Sequence, residues 1–94
     1  MTQSTILAVG NTSATSTDIV VAAGVSVTVG IFSVATDTLD SSTFFSLMID
    51  TPSADNLYAK LSAGQSQVRV VGPGTFRVVR PAYVGTAFGV WLEA

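Results

Sequence analysis

Apolar and polar residues alternate with a period of two along much of the chain, which is typical of β-strands that bury one face. The clearest case is residues 68–79, where two valine-rich runs flank a Gly-Pro-Gly segment at 72–74. This pattern predicts a β-hairpin with a three-residue loop. In the register that buries the valines together with Phe76, Arg69 lies opposite Arg77 on the outer face, where the two like charges repel unless an anion or a carboxylate lies over them.

The same alternation predicts further strands on both sides of this segment. In addition to the hairpin, the predicted strands cover residues 18–21, 25–31, 43–49, 57–61 and 84–92. Residues 43–49 are so apolar that both faces are expected to be covered, one of them by a second subunit. Turn residues at 50–56 predict a second hairpin. In the strand that follows, Leu57 is expected on the apolar side and Tyr58 on the opposite side.

About seven or eight short strands, with turn signals roughly every 8 to 12 residues, predict an all-β protein. The expected architecture is a single antiparallel β-sandwich or a jelly-roll-like barrel. Residues 18–94 are expected to form this one domain. Residues 1–17 contain one short apolar run and a Ser/Thr-rich spacer, so they are expected to form an extended N-terminal arm or an edge strand.

Composition indicates that some apolar surface is covered by a partner. Of the 94 residues, 48% are hydrophobic and 11% are charged, against roughly 25% charged in a typical soluble domain. No apolar run reaches the roughly 20 residues of a membrane-spanning helix, so a homo-oligomer is expected and a membrane partner is not. The net charge of −2 and the absence of a basic run argue against a nucleic-acid partner.

The residue types needed for common catalytic sites are scarce. The chain has no His and no Cys, so the usual acid–base shuttle, thiol nucleophile and zinc ligands are missing. Asp37 with Asp40, or Asp50 with Asp55, could act as paired acids or bind calcium, but aspartates in turns usually bond their own backbone. We therefore expect no enzymatic activity, no cofactor and no metal site.

Aromatic and basic residues give the candidate interaction sites. Tyr58, Tyr83 and Trp91 could form a platform for a sugar ring, although Trp91 shares its strand with small residues and is more simply explained as part of an interface or core. Arg69 and Arg77 either bind an anionic partner surface or are solvated charges that protect an exposed face. The predicted interface residues are Phe44, Phe45, Arg69, Arg77 and Trp91.

At residues 25–32, 45–56, 71–81 and 88–90 the chain resembles small structural proteins encoded in tailed-bacteriophage virion gene clusters, of the head-decoration or fibre-base type. The likeness is strongest in the run Val-Gly-Pro-Gly-Thr-Phe-Arg-Val-Val-Arg-Pro, followed by Phe-Gly-Val. It covers most of residues 18–94.

The resemblance implies a non-enzymatic virion protein, namely a homotrimeric β-sandwich that decorates and stabilises the capsid. Its partners would be further copies of itself and the major capsid protein or another virion protein. It would be found on the capsid surface after synthesis in the host cytoplasm, which agrees with an N-terminus that lacks the basic region of a signal peptide. The alternative, based on the aromatic residues, is a small β-sandwich module that binds a carbohydrate or another ligand.

Overall fold

Two antiparallel β-sheets form the protein in the computed structural model, which describes residues 3–34, 39 and 42–94. The first sheet has the order β1 (Gln3–Gly10), β9 (Phe88–Glu93), β4 (Ser26–Phe32) and β7 (Gln67–Val71). The second has the order β2 (Ala14–Thr15), β8 (Gly74–Arg80), β5 (Phe45–Asp50) and β6 (Asp55–Leu61), and β3 (Ile19–Val21) also pairs with β8. The predicted all-β sandwich is confirmed. Within these residues, no helix is long and apolar enough to cross a membrane.

The strands pair in a nested order from the ends of the chain towards its middle. β1 pairs with β9, β2 and β3 pair with β8, β4 pairs with β7, and β5 pairs with β6. When β2 and β3 are counted as one interrupted strand, the chain is a long two-stranded ribbon rolled into two sheets of four strands, which is the connectivity of a jelly roll. Consecutive strands therefore lie in different sheets everywhere except at the β5–β6 hairpin.

The core lies between the sheets and is built from the inward-facing positions of the predicted alternation. Val27, Val29 and Ile31 of β4 are buried, as the period of two predicts. The largest fully buried side chains come from both sheets: Val29, Phe45, Leu47, Leu61, Val70, Phe76, Val78 and Val90. The alternation therefore predicted which side chains stabilise the fold by burial.

The predicted hairpin at residues 68–79 is wrong. β7 pairs with β4, whereas β8 pairs with β3 and β5, so the connection at Gly72 and Pro73 crosses from the first sheet to the second, with a cis peptide bond between them. Alternation determines which side chains face the core, but it does not determine which strand lies alongside. Val70 and Phe76 are fully buried, but they lie in different sheets and not side by side in one.

Strand β6 contains a bulge that changes the predicted faces. Leu57 pairs with Met48, while Tyr58 has no partner on β5. Leu57 is 51% exposed and Tyr58 is 40% exposed, and the Tyr58 ring also meets Phe76 edge-on with 5.0 Å between the ring centroids. The prediction that placed Leu57 on the apolar side is therefore wrong at this position.

The two ends of the chain meet at one edge of the first sheet. β1 is the edge strand, and its register with β9 runs from Gln3 opposite Glu93 to Gly10 opposite Phe88. The last strand begins at Phe88 and not at Val84, which is almost fully exposed. Residues 3–10 of the predicted arm or edge strand thus pair along most of β9.

Two connections between the sheets run in close contact. The Gly72 amide donates to the Val25 carbonyl at 3.0 Å. A Cβ atom at Gly72 would lie 2.2 Å from the carbonyl oxygen of Ala22, a separation at which the backbone would have to move. The crossing from β7 to β8 thus needs a residue without a side chain beside the turn between β3 and β4.

We expect Gly72→Ala to lower the free energy of unfolding by about 2 kcal/mol, because the added methyl group meets backbone that cannot rotate away. Gly64→Ala is the matched control, since a Cβ atom there has no neighbour within 4 Å. Urea unfolding monitored by circular dichroism measures the free energy of unfolding of both variants. Equal stability of the two variants would contradict the close contact.

Arg80 is a buried cation held by backbone carbonyl groups. Its side chain is 5% exposed. Nε donates to the Thr12 carbonyl at 2.7 Å, and Nη1 donates to the carbonyls of Ala8 at 2.7 Å and Phe88 at 3.0 Å. A Cβ atom at Gly10 would lie 2.8 Å from Nη2, so the glycine makes room for the guanidinium. One side chain of the second sheet thereby fixes β1, the loop after it and the start of β9.

We expect Arg80→Met to lower the free energy of unfolding by about 3 kcal/mol, since it removes charge-assisted hydrogen bonds to three backbone carbonyls and leaves the buried Phe88 carbonyl without this donor. The control is Arg69→Met, because Arg69 is exposed and donates to the Ser26 hydroxyl at 2.9 Å; its effect should stay within about 0.5 kcal/mol. Chemical denaturation of both variants tests this difference. A loss at Arg80 no larger than at Arg69 would contradict the anchoring role.

Candidate functional site

The side chains that could contact a partner are divided between the outer faces of the two sheets. Strand register and burial place each of them. The outer face of the second sheet, called the Arg77 face, comprises Asp18, Val20, Phe44, Ser46, Met48, Asp50, Asp55, Leu57, Lys60, Thr75, Arg77 and Val79. The outer face of the first sheet, called the Trp91 face, comprises Gln3, Thr5, Ser26, Thr28, Gly30, Phe32, Gln67, Arg69, Val71, Gly89, Trp91 and Glu93.

Arg77 lies between two carboxylates of its own chain. Its Nε atom is 3.1 Å from Oδ1 of Asp18, and its Nη1 atom donates to Asp55. The hydrogen bond to Asp55, followed by the one to Asp18, raises the pKa of Arg77 above its usual value. The prediction that Arg69 stands beside Arg77 is wrong, because Arg69 lies in the other sheet.

Apolar side chains surround this ion-paired centre. Val20 is 77% exposed, Leu57 is 51% exposed and Phe44 is 39% exposed. The ammonium group of Lys60 lies 4.5 Å from the centroid of the Phe44 ring, in the geometry of a cation–π contact. A groove of about 340 Å³ continues from Phe44 to Tyr83. The Arg77 face therefore offers apolar surface around an arginine that is already paired.

Phe44 and Phe45 were predicted together as interface residues, but the structure separates them. Phe45 is fully buried between the sheets, with 6.3 Å between its ring centroid and that of Tyr83. A partner of the folded protein does not reach it, so its assignment to an interface is corrected to the core. Phe44 points to the other side of the strand, where a partner can contact it.

Of the two predicted carboxylate pairs, Asp50 with Asp55 lies in the described part of the chain. Asp37 and Asp40 lie outside the described residues. Asp50 and Asp55 are cross-strand partners next to the β5–β6 turn, and Asp55 is bound by Arg77. A search of the described residues finds no group of three or more His, Cys, Asp or Glu side chains that could hold a metal ion.

Two of the three aromatic candidates are held against the protein. Tyr58 packs on Phe76 of the core. The Tyr83 hydroxyl donates to the Thr86 carbonyl at 2.8 Å and lies 3.3 Å from the Gly10 carbonyl. Burial raises the pKa of the Tyr83 phenol. Register with Thr5 and Gly30 puts Trp91 on the outer face of the first sheet, whereas Tyr58, which is 40% exposed, lies at the bulge of the edge strand β6.

The indole of Trp91 crosses the neighbouring strand at Gly30, its partner in the ladder. A Cβ atom at Gly30 would lie 2.3 Å from Cζ2 of the indole. The indole Nε1 donates to the Ile31 carbonyl at 3.3 Å. The ring is thus packed over a glycine backbone and held by a hydrogen bond at its edge.

A cleft of about 310 Å³ opens beside this ring. Gln3, Ser4, Thr5, Phe32 and Trp91 line it. Thr5 is the ladder partner of Trp91 on the other side, and the Gln3 amide donates to Glu93 at 3.2 Å. The lining therefore combines two aromatic rings with uncharged polar side chains.

Sequence reasoning missed the contributions of Gly30, Thr5 and Arg80. A glycine inside a valine-rich strand signals close approach by another group, and this signal at Gly30 points to the Trp91 ring. Thr5 belongs to β1, whose partner strand is at the other end of the chain. For Arg80, no local pattern distinguishes a buried arginine from an exposed one.

Comparison with protein-family models, with curated proteins and with solved structures gives no match to this chain. The physical basis for a functional proposal is therefore the chemistry of the Arg77 face and the Trp91 face.

Proposed function

We propose that the chain is a non-enzymatic virion structural protein that decorates and stabilises a tailed-phage capsid as a homotrimer. The observation that carries this proposal is the apolar Arg77 face, where Val20, Leu57 and Phe44 are exposed around a charge centre. Exposed apolar surface of this kind is typical of protein contacts. The resemblance of residues 71–81 to phage structural proteins supplies the virion setting.

The charge arrangement favours contact between copies through this face. A charged group can be removed from water at low cost only when it is already paired and hydrogen-bonded. Arg77 has Asp18 and Asp55 as partners within its own chain. The Arg77 guanidinium therefore needs no counter-charge from a neighbouring subunit, while its two carboxylate partners leave the centre of the face with a net negative charge.

A subunit that binds each neighbour weakly can still be held on the surface of a virus particle. A closed oligomer presents several copies of one docking surface to a repeating lattice, so weak contacts are multiplied through effective concentration. Each subunit contact would need about 800 Å² per partner, the usual size of a specific interface. The major capsid protein, or another virion protein, provides the lattice in this proposal.

We expect the purified protein to have three times its 9.7 kDa protomer mass in light scattering across a dilution series. Leu57→Ser and Phe44→Ser should shift the mass towards the monomer, because each replaces an apolar contact with a hydroxyl. The matched control is Val84→Ser, a site that is 96% exposed and lies outside the two faces. A monomer at micromolar concentration of the unsubstituted protein would contradict assembly.

We further expect an antibody against the purified protein to label the heads of intact phage particles from the source of the gene, as seen by electron microscopy. The control is the same preparation after the antibody has been absorbed with free protein. An oligomer whose antibody labels disrupted cells but never particles would reject the virion role while leaving the assembly surface intact.

A further inference from the structure

The Trp91 cleft lies on the opposite side of the sandwich from the surface assigned to assembly. Trp91 belongs to the outer face of the first sheet, and Arg77 to that of the second. Contacts between copies through the Arg77 face therefore leave the Trp91 cleft open. This separation allows the cleft to serve a second function.

The stacking surface is rigid before any ligand arrives. Gly30 lets the indole approach the backbone, and the bond from Nε1 to the Ile31 carbonyl fixes the ring at its edge. A ring fixed in this way loses little conformational freedom on binding, and such preorganisation favours affinity. Trp91 is half-buried and lines the cleft.

The polar groups are arranged around the ring. Register places Thr5 directly beside Trp91, and Gln3 follows two positions earlier on the same face of β1. Thr5 can donate and accept through its hydroxyl, while the Gln3 amide has a donor and an acceptor end. A pyranose ring has an apolar face of C–H groups that can stack on an indole. The hydroxyls around the ring can form hydrogen bonds with polar side chains such as Thr5 and Gln3.

The charge of the cleft disfavours other ligand classes. Its lining contains no lysine or arginine, which a nucleic-acid strand or another polyanion would need. The Glu93 carboxylate accepts a hydrogen bond from Gln3, one of the lining residues, and its negative charge repels anions. The three polar residues among the five lining residues favour a ligand rich in hydroxyl groups.

From this geometry we propose that the Trp91 cleft binds a neutral saccharide, with one pyranose ring stacked on the indole and its hydroxyls bonded to Thr5 and Gln3. The volume of about 310 Å³ is at the lower end of the range for small-molecule sites. It therefore accommodates one or two sugar rings.

The single Trp in the chain makes its fluorescence a direct report on the cleft. Maltotriose, cellotriose, chitotriose and mannotriose are the probes, each titrated into the folded protein. We expect a saturable change with at least one of them, with a dissociation constant of about 1 mM for a site with one stacking ring.

Substitutions at residues other than Trp91 distinguish a loss of saccharide binding from a loss of folding. Thr5→Val and Gln3→Leu each remove hydrogen-bonding groups and should weaken binding about tenfold. Thr75→Val is the matched control on the second sheet and should leave affinity unchanged. Thermal unfolding of each variant verifies that the sandwich is intact.

Three results would overturn the proposal: no saturable change with any of the four trisaccharides, unchanged affinity in both Thr5→Val and Gln3→Leu, or tighter binding of a ten-residue oligothymidylate. The Leu57→Ser variant separates this proposal from the assembly proposal. It should bind the saccharide with native affinity whether or not its mass changes.

Discussion

The pairing of β1 with β9 is the constraint on which the rest of the sandwich depends, because it joins segments from opposite ends of the chain. Bringing such distant segments together has an entropic cost that local turns do not carry. Arg80 contributes to this closure through the Ala8 and Phe88 carbonyls, one on each of the two strands. The same closure brings Thr5 beside Trp91, so the candidate binding cleft exists only where the fold is complete.

The four basic residues of the chain all have partners within it. Arg80 is bonded by carbonyls, Arg77 by two carboxylates and Arg69 by the Ser26 hydroxyl, while Lys60 lies over the Phe44 ring. Arg80 and Arg77 thus hold strands together, whereas Arg69 and Lys60 are exposed. The surfaces proposed for recognition are the apolar part of the Arg77 face, and the aromatic rings with neutral polar groups of the Trp91 cleft. Jelly-roll sandwiches occur in both viral capsid and lectin domains, so the fold itself does not choose between these two kinds of contact.

Alternation predicted the class of fold, the inward positions and the β5–β6 hairpin, because each of these depends on local spacing and on turn residues. It failed at residues 68–79, since a strand that turns back into its own sheet and a strand that crosses to the other sheet bury the same side chains. It failed again at Leu57, because one extra residue in the bulge of β6 turns this side chain to the outer face. The contact of Trp91 with Gly30 could not be predicted for a related reason. The two residues lie on strands that are far apart in the chain, and their contact follows from the order of the strands in the sheet.

The nested strand order also means that the break in the chain could lie at the β5–β6 turn instead of between β1 and β9, with the same strand pairs. Gln3 and Glu93 are direct neighbours across the first sheet, so a linker of a few residues would span the distance between them. If the chain were joined there and opened between β5 and β6, every strand pair would still have both of its members. The sandwich could therefore be formed by a circularly permuted chain whose ends lie at the β5–β6 turn. A domain whose ends are adjacent in this way can be inserted into a loop of another protein without separating the two ends of that loop.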